Sequence, residues 1–118
     1  TQDSEQPLWD RNAALSRLLN KEVLLNKICR LFIKTAPQKL AQLHQSLNDE
    51  NHEQVRQVAH SLKGLCGEIS ATRLHQLLAE VEHLAGSGTL EVQVELQEID
   101  TSLPELIADI EHYLEGSD

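Results

Sequence analysis

The sequence predicts an all-α protein: an up-and-down antiparallel four-helix bundle with a short additional N-terminal helix. Two observations carry this. Apolar residues recur at helical spacing in five successive segments separated by short polar turns. The chain is 40% apolar but only 3% aromatic, so its core must be built from Leu, Ile, Val and Ala, a mixture suited to helix-on-helix packing. At 118 residues the chain is sized for one domain with a single continuous core.

The elements follow in order. Residues 1–6, TQDSEQ, are polar without periodicity and read as a disordered linker; residues 116–118 read as a disordered end, leaving 7–115 as the domain. Trp9 to Leu19 forms a short first helix capped by Asp10, with Ala14, Leu15, Leu18 and Leu19 turned to the core as a lid. Lys21 to Leu47 places Val23, Leu24, Ile28, Leu31, Phe32, Leu40, Leu43 and Leu47 at helical spacing. Pro37 interrupts it, and Thr35 with Gln38 has the form of a capping box, so a kink or restart is expected near 35–37.

A third helix runs from His52 to Ile69 after the turn and cap residues Asn48, Asp49, Glu50 and Asn51. The fourth, from Ser70 or Ala71 to Ala85, carries Leu74, Leu77, Leu78, Val81 and Leu84 and stops at Gly86, Ser87 and Gly88. Leu90 to Leu114 keeps a heptad-like rhythm through Val92, Leu96, Ile99, Leu103, Leu106, Ile110 and Leu114. Pro104, beside the capping-box pair Ser102 and Glu105, makes this a kinked helix or two shorter ones.

Charge and composition exclude several functions. The formal charge of −9 disfavours nucleic acid and anionic lipid surfaces as partners. No apolar run of 18 residues and no charged-then-apolar leader is present, so neither a membrane span nor a signal peptide is expected, and the segment is expected to be cytoplasmic. Cys29 and Cys66 fall at no metal-type spacing and read as small core residues. His44, His52, His75, His83 and His112 are scattered singly, so no metal site is expected. Glu80, Glu91, Glu95 and Glu98 read as a solvated face. No Gly-rich phosphate loop, Ser/His/Asp or Cys/His arrangement or nucleotide-binding half is found, so the chain is not expected to use ATP itself.

The third helix carries the chemistry. At about 100° per residue, Val55, Val58, Ala59, Leu65, Cys66 and Ile69 fall within about 60° of Leu62, which defines the core face. His60 lies about 160° away, with Gly64 and Gly67 beside it and Lys63 about 60° round from it. Two outward glycines in a helix each cost roughly 0.8 to 1 kcal/mol relative to Ala, a penalty that packing does not require. Something approaches the backbone there. An exposed imidazole has a nitrogen free to act as nucleophile at neutral pH, Lys63 one turn away can neutralise a phosphoryl group, and Gly64 leaves room for a partner.

The run Ala59-His60-Ser61-Leu62-Lys63-Gly64-Leu65-Cys66-Gly67-Glu68-Ile69-Ser70-Ala71 resembles the core pattern of the histidine-containing phosphotransfer (HPt) family: His-x-L-K-G, two small residues, a hydrophobic residue, Gly-Ala and a leucine. The likeness extends through Trp9-Asp10, Leu15, Leu31-Phe32 and Pro37 upstream, and Leu74, Leu77, Leu78 and Glu82 downstream. Leu65, Glu68 and Ser70 depart from it, standing where the family has a small residue, frequently an amide, and usually Gly.

The resemblance implies that His60 is phosphorylated, that Lys63 meets the phosphoryl oxygens, that Gly64 and Gly67 admit a receiver domain, and that Glu82 on the next helix orients the imidazole. It further implies response regulator receiver domains as partners, with Mg²⁺ supplied by the receiver and no cofactor in this chain; a monomer is expected because one histidine-bearing face suffices for docking, and the polar opening TQDSEQ suits a domain of a hybrid sensor kinase. The kinase dimerisation helix is a poorer match, because its histidine is typically followed by Glu or Asp and then Pro, unlike Ser61 and Gly64. The remaining alternative is a degenerate HPt-like module that docks a partner without carrying phosphate.

Overall fold

The computed structural model describes residues 8–117 and is all-helical among them: α1 Arg11–Arg17, α2 Glu22–Asn48, α3 His52–Glu68, α4 Thr72–Gly86 and α5 Gln93–Ser117. The expected linker over residues 1–6 lies outside the described residues. Helix α5 continues through Gly116 and Ser117, where the polar end was expected to begin. Packing contacts join α2 to α3, α3 to α4, α4 to α5 and α5 back to α2, which closes a four-helix ring.

Each helix buries one stripe. On α3 it is Val55, Val58, Ala59, Leu62 and Cys66; on α4 it is Leu74, Leu77, Leu78, Val81 and Ala85, with Leu84 only partly buried. Helix α5 buries Ile99, Leu103, Leu106, Ile110 and Leu114, with Val92 just before its first turn. Cys29 and Cys66 are free thiols in the core, and burial raises them to about 11 and about 12 respectively, which leaves both as unreactive thiols at neutral pH.

Helix α2 departs from expectation. Its inward stripe is Leu25, Cys29, Phe32, Ala36 and Leu43, which fall within an arc of about 60°. Val23 and Leu31, expected in the core, are 72% and 55% exposed, and Leu24 is exposed too. The first half of α2 offers more apolar residues than one arc can bury, so periodicity alone left its rotation open. Leu19 also leaves the expected core, because α1 has already ended and the residue stands in the turn, 78% exposed.

Neither proline restarts its helix. Both α2 and α5 run unbroken through Pro37 and Pro104, with Thr35 and Ser102 inside the helices rather than capping new ones. Both prolines sit on exposed positions, where water can take the carbonyl that each leaves without its helical partner.

The helix ends share one device. At α1, α2, α3 and α4 the second residue past the cap donates to the carbonyl five back (Asn20 to Leu15, Asn51 to Ser46, Ala71 to Cys66, Thr89 to Leu84). The residue before it donates three back (Leu19 to Ser16, Glu50 to Leu47, Ser70 to Gly67, Gly88 to Ala85). This Schellman geometry needs a left-handed residue, supplied by Leu19, Glu50, Ser70 and Gly88 with φ of 55°, 54°, 62° and 94°. Only the last is glycine.

Helix α1 is fastened over the α3–α4 turn. Its Asp10 caps the helix by accepting from the Ala13 amide, the Trp9 indole donates to the Ile69 carbonyl at 2.8 Å, and the Arg17 guanidinium donates to the Gly67 carbonyl. Trp9 also meets the edge of Tyr113 from α5, and Arg11 lies over the same ring.

Left-handed non-glycine residues cost roughly 1–2 kcal/mol, part of which glycine returns through its unfolded-state entropy. Ser70→Gly and Glu50→Gly are each expected to raise stability by about 0.5 to 1 kcal/mol in chemical denaturation. A lowered midpoint in both would contradict the left-handed geometry of these turns.

Candidate functional site

Asn51 starts α3 by accepting from the Gln54 amide at 3.1 Å, and burial of the Val55 to Cys66 stripe then fixes which way the helix faces. Ile69, just past the helix, completes the buried set, whereas Leu65 lies at its edge, half-buried. The opposite side carries His60, whose side chain is 66% exposed. Gly64, one turn on, is exposed, and a methyl group there would meet nothing within 4 Å. The space its missing side chain leaves is outside the domain.

Gly67 differs. A Cβ at this position would stand 3.3 Å from Cδ2 of His75 on α4, so this glycine has an internal packing neighbour. Its carbonyl is also occupied, accepting from Arg17 and from the Ser70 amide.

Glu82 joins the group from α4. It stands at the edge of that helix's buried stripe, beside Leu78 and Ala85, which aims it across the α3–α4 seam. One carboxylate oxygen, Oε2, lies 2.9 Å from His60 Nδ1, and the other, Oε1, lies 2.7 Å from Lys63 Nζ. Both partners are therefore held by one side chain. Glu53, on the same helix, pairs instead with Arg56 one turn along α3. The Lys63–Glu82 pair has no sequence signal, because it depends on the rotation of two helices relative to each other.

The chemistry follows from the acceptor. A carboxylate has no proton to give, so Nδ1 donates, and in the neutral ring Nε2 is then the nitrogen with a lone pair. Glu82 is suited to the task. Burial pushes its carboxyl up, but hydrogen bonds from Lys63 and His60 and the charges of both outweigh burial and hold it below the usual carboxylate range. It remains ionised throughout the neutral range.

A helical bundle that offers one oriented imidazole nitrogen on an open surface has the form of a histidine phosphocarrier. The sequence matches the Hpt domain family over residues 27–116, and the chain belongs to that family. Its fold is similar to that of histidine-containing phosphotransfer protein B (HptB) from Pseudomonas aeruginosa PAO1, with a TM-score of 0.85 at 20% identity over 94% of this chain and 97% of that one. Comparison with curated proteins gives no sequence match. The domain thus serves histidine phosphotransfer in two-component phosphorelays, where Hpt domains work with receiver domains. No helix among the described residues is long and apolar enough to cross a membrane.

Because the folded carboxyl of Glu82 titrates below its unfolded value, its contribution to stability is complete above the ordinary carboxylate range and is lost as pH falls through the folded value. Glu82→Gln is expected to be about 1 kcal/mol less stable than the parent near pH 7, with the difference closing as pH falls below the ordinary carboxylate range. Urea titrations of both proteins across this range check it; a gap that is constant with pH would contradict the ion-pair assignment.

Proposed function

We propose that His60 is the phospho-acceptor, and that the exposed Nε2, left with its lone pair by the Nδ1–Glu82 hydrogen bond, is the atom that carries the phosphoryl group. That hydrogen bond is the observation that carries the reading. The lone pair of Nε2 attacks the phosphorus of a receiver's aspartyl phosphate, the N–P bond forms, and the P–O bond to the aspartate breaks with its electron pair returning to the carboxylate. In the onward step a second receiver's aspartate attacks, and the pair of the breaking N–P bond returns to Nε2. No proton at Nε2 has to be removed first.

Catalysis of this kind is positioning plus charge neutralisation. Lys63, 24% exposed and one turn from His60, supplies a cation within reach of the transferred group. The receiver supplies its Mg²⁺, and this chain acts as a monomeric covalent carrier without an ATP site, on the cytoplasmic side of a signalling pathway. The open space at Gly64 lets the receiver close on the phosphoryl group. Gly67 contributes at the margin of the same surface.

The test is transfer from a radiolabelled phosphorylated receiver to this protein and to His60→Gln, with acid and alkali treatment of the product. Acid-labile, alkali-stable label that is absent from the variant is expected. Absence of label with several receivers would instead favour a docking module that carries no phosphate.

Gly64 separates docking from folding. Gly64→Ala is expected to raise stability by about 0.5 to 1 kcal/mol, since it meets no neighbour and removes helical glycine. Gly64→Leu is expected to fold normally yet lower the transfer rate by roughly ten-fold or more by displacing the receiver. Transfer rates from the phosphorylated receiver, with thermal melts alongside, check both; an unimpaired Leu variant would remove Gly64 from the docking surface.

A further inference from the structure

We propose that the α1–α2 turn and the outer face of the first half of α2 form a second interaction surface, which rests on an anionic lipid bilayer while His60 stays open to solvent. The formal charge of −9 opposes such a partner only if the charge is evenly spread. It is not. Residues 11–39 hold seven of the ten basic residues and one acidic residue, Glu22, whereas fifteen of the nineteen acidic residues lie beyond residue 39.

Apolar side chains share this basic face. Of the five large hydrophobic residues exposed among the described residues, four are Leu19, Val23, Leu24 and Leu31. At about 100° per residue, Val23, Leu24, Lys27, Arg30, Leu31 and Lys34 fall within about 120° on the side of α2 opposite its buried stripe, and all six are exposed. Lys21, Val23, Leu24 and Lys27 line one shallow depression. None of Lys21, Lys27 and Lys34 meets a carboxylate among the described residues.

This chemistry suits lipid better than protein. The cations of the stripe are mostly lysines, which are depleted from protein interfaces, and residues 11–39 expose no aromatic anchor, their one aromatic, Phe32, being buried. A bilayer needs neither a pocket nor a fixed partner geometry. Aliphatic tips enter the boundary between headgroups and acyl chains, while the lysine stems lie beside them and keep their ammonium groups among the phosphates. Each cation close to an anionic surface strengthens binding about five-fold, and repulsion from the acidic remainder of the chain is screened beyond roughly 8 to 10 Å.

The two surfaces do not compete. Helix α3 returns antiparallel to α2 from the turn at Asp49–Asn51. By helix rise, Lys27 stands roughly 30 Å and His60 roughly 12 Å from that end of the bundle, so they are about 20 Å apart along it.

The experiment is co-sedimentation of the domain with vesicles of phosphatidylcholine alone and of phosphatidylcholine with one-third phosphatidylglycerol, at low and at physiological salt. Binding to the anionic vesicles is expected to be at least ten-fold tighter than to the neutral ones and to weaken as salt rises. Lys27→Gln combined with Lys34→Gln is expected to weaken it about twenty-fold, and Leu24→Ser combined with Leu31→Ser about ten-fold. Both double variants are expected to accept phosphate from a labelled receiver at the wild-type rate, which reads out folding and an intact His60. Equal binding to the two vesicle types, binding to neither, or anionic binding untouched by both double variants would overturn the proposal. Lost receiver transfer in the folded variants, without vesicle binding by the parent, would overturn it in favour of a protein partner on this face.

Discussion

Burial of the narrow arc formed by Val55, Val58, Ala59, Leu62 and Cys66 against α2 and α4 fixes the rotation of α3, and with it the direction of every group that does chemistry. Turning the helix by one residue, about 100°, would carry His60 out of the solvent-facing sector and put a polar side chain in the core, at a cost of several kcal/mol in lost burial. The core therefore aims the imidazole without touching it. Glu82 completes the alignment from α4, itself held by Leu78, Val81 and Ala85.

The division of labour is consistent across the domain. Apolar contacts set the helix directions, and charged contacts add tolerance-limited detail at the seams. Arg73 meets Glu98 with two hydrogen bonds between α4 and α5, at 2.7 and 2.8 Å, and His44 meets Asp100 between α2 and α5. Such partly exposed pairs add little stability each, about 1 kcal/mol or less, and matter more for register than for strength. The Glu82 cluster is built from the same materials but stands beside the imidazole proposed as acceptor.

The fold class, the Asp10 cap and the outward face of α3 were legible in the sequence, because each depends on local spacing or local capping chemistry. The stop after Ala85 was also visible, although its left-handed residue is Gly88 rather than the whole Gly86–Gly88 run. What local pattern left open was whatever needed a neighbour. Leu24 and Leu31 sit at helical spacing yet face outward, since Leu25, Cys29 and Ala36 form the tighter arc. Pro37 and Pro104 suggested breaks, yet each lies where a missing hydrogen bond is solvated. His60 and Lys63 could be paired with the right helix from their motif, but the double contact made by Glu82 appears only when α3 and α4 are docked. Gly67 shows the reverse: it shares the outward sector of Gly64, yet has a close neighbour in the half-buried His75 of α4.

The central claim is atomic: Glu82 holds the proton at Nδ1, so phosphate chemistry belongs to Nε2 of His60. Long-range proton–nitrogen correlation spectra of the histidine-¹⁵N-labelled domain, recorded before and after phosphorylation by phosphoramidate, test it most directly. The account predicts that His60 is an Nδ1–H tautomer at rest and that the new nitrogen–phosphorus coupling appears at its Nε2. Coupling at Nδ1, or at another of the six histidines, would contradict it.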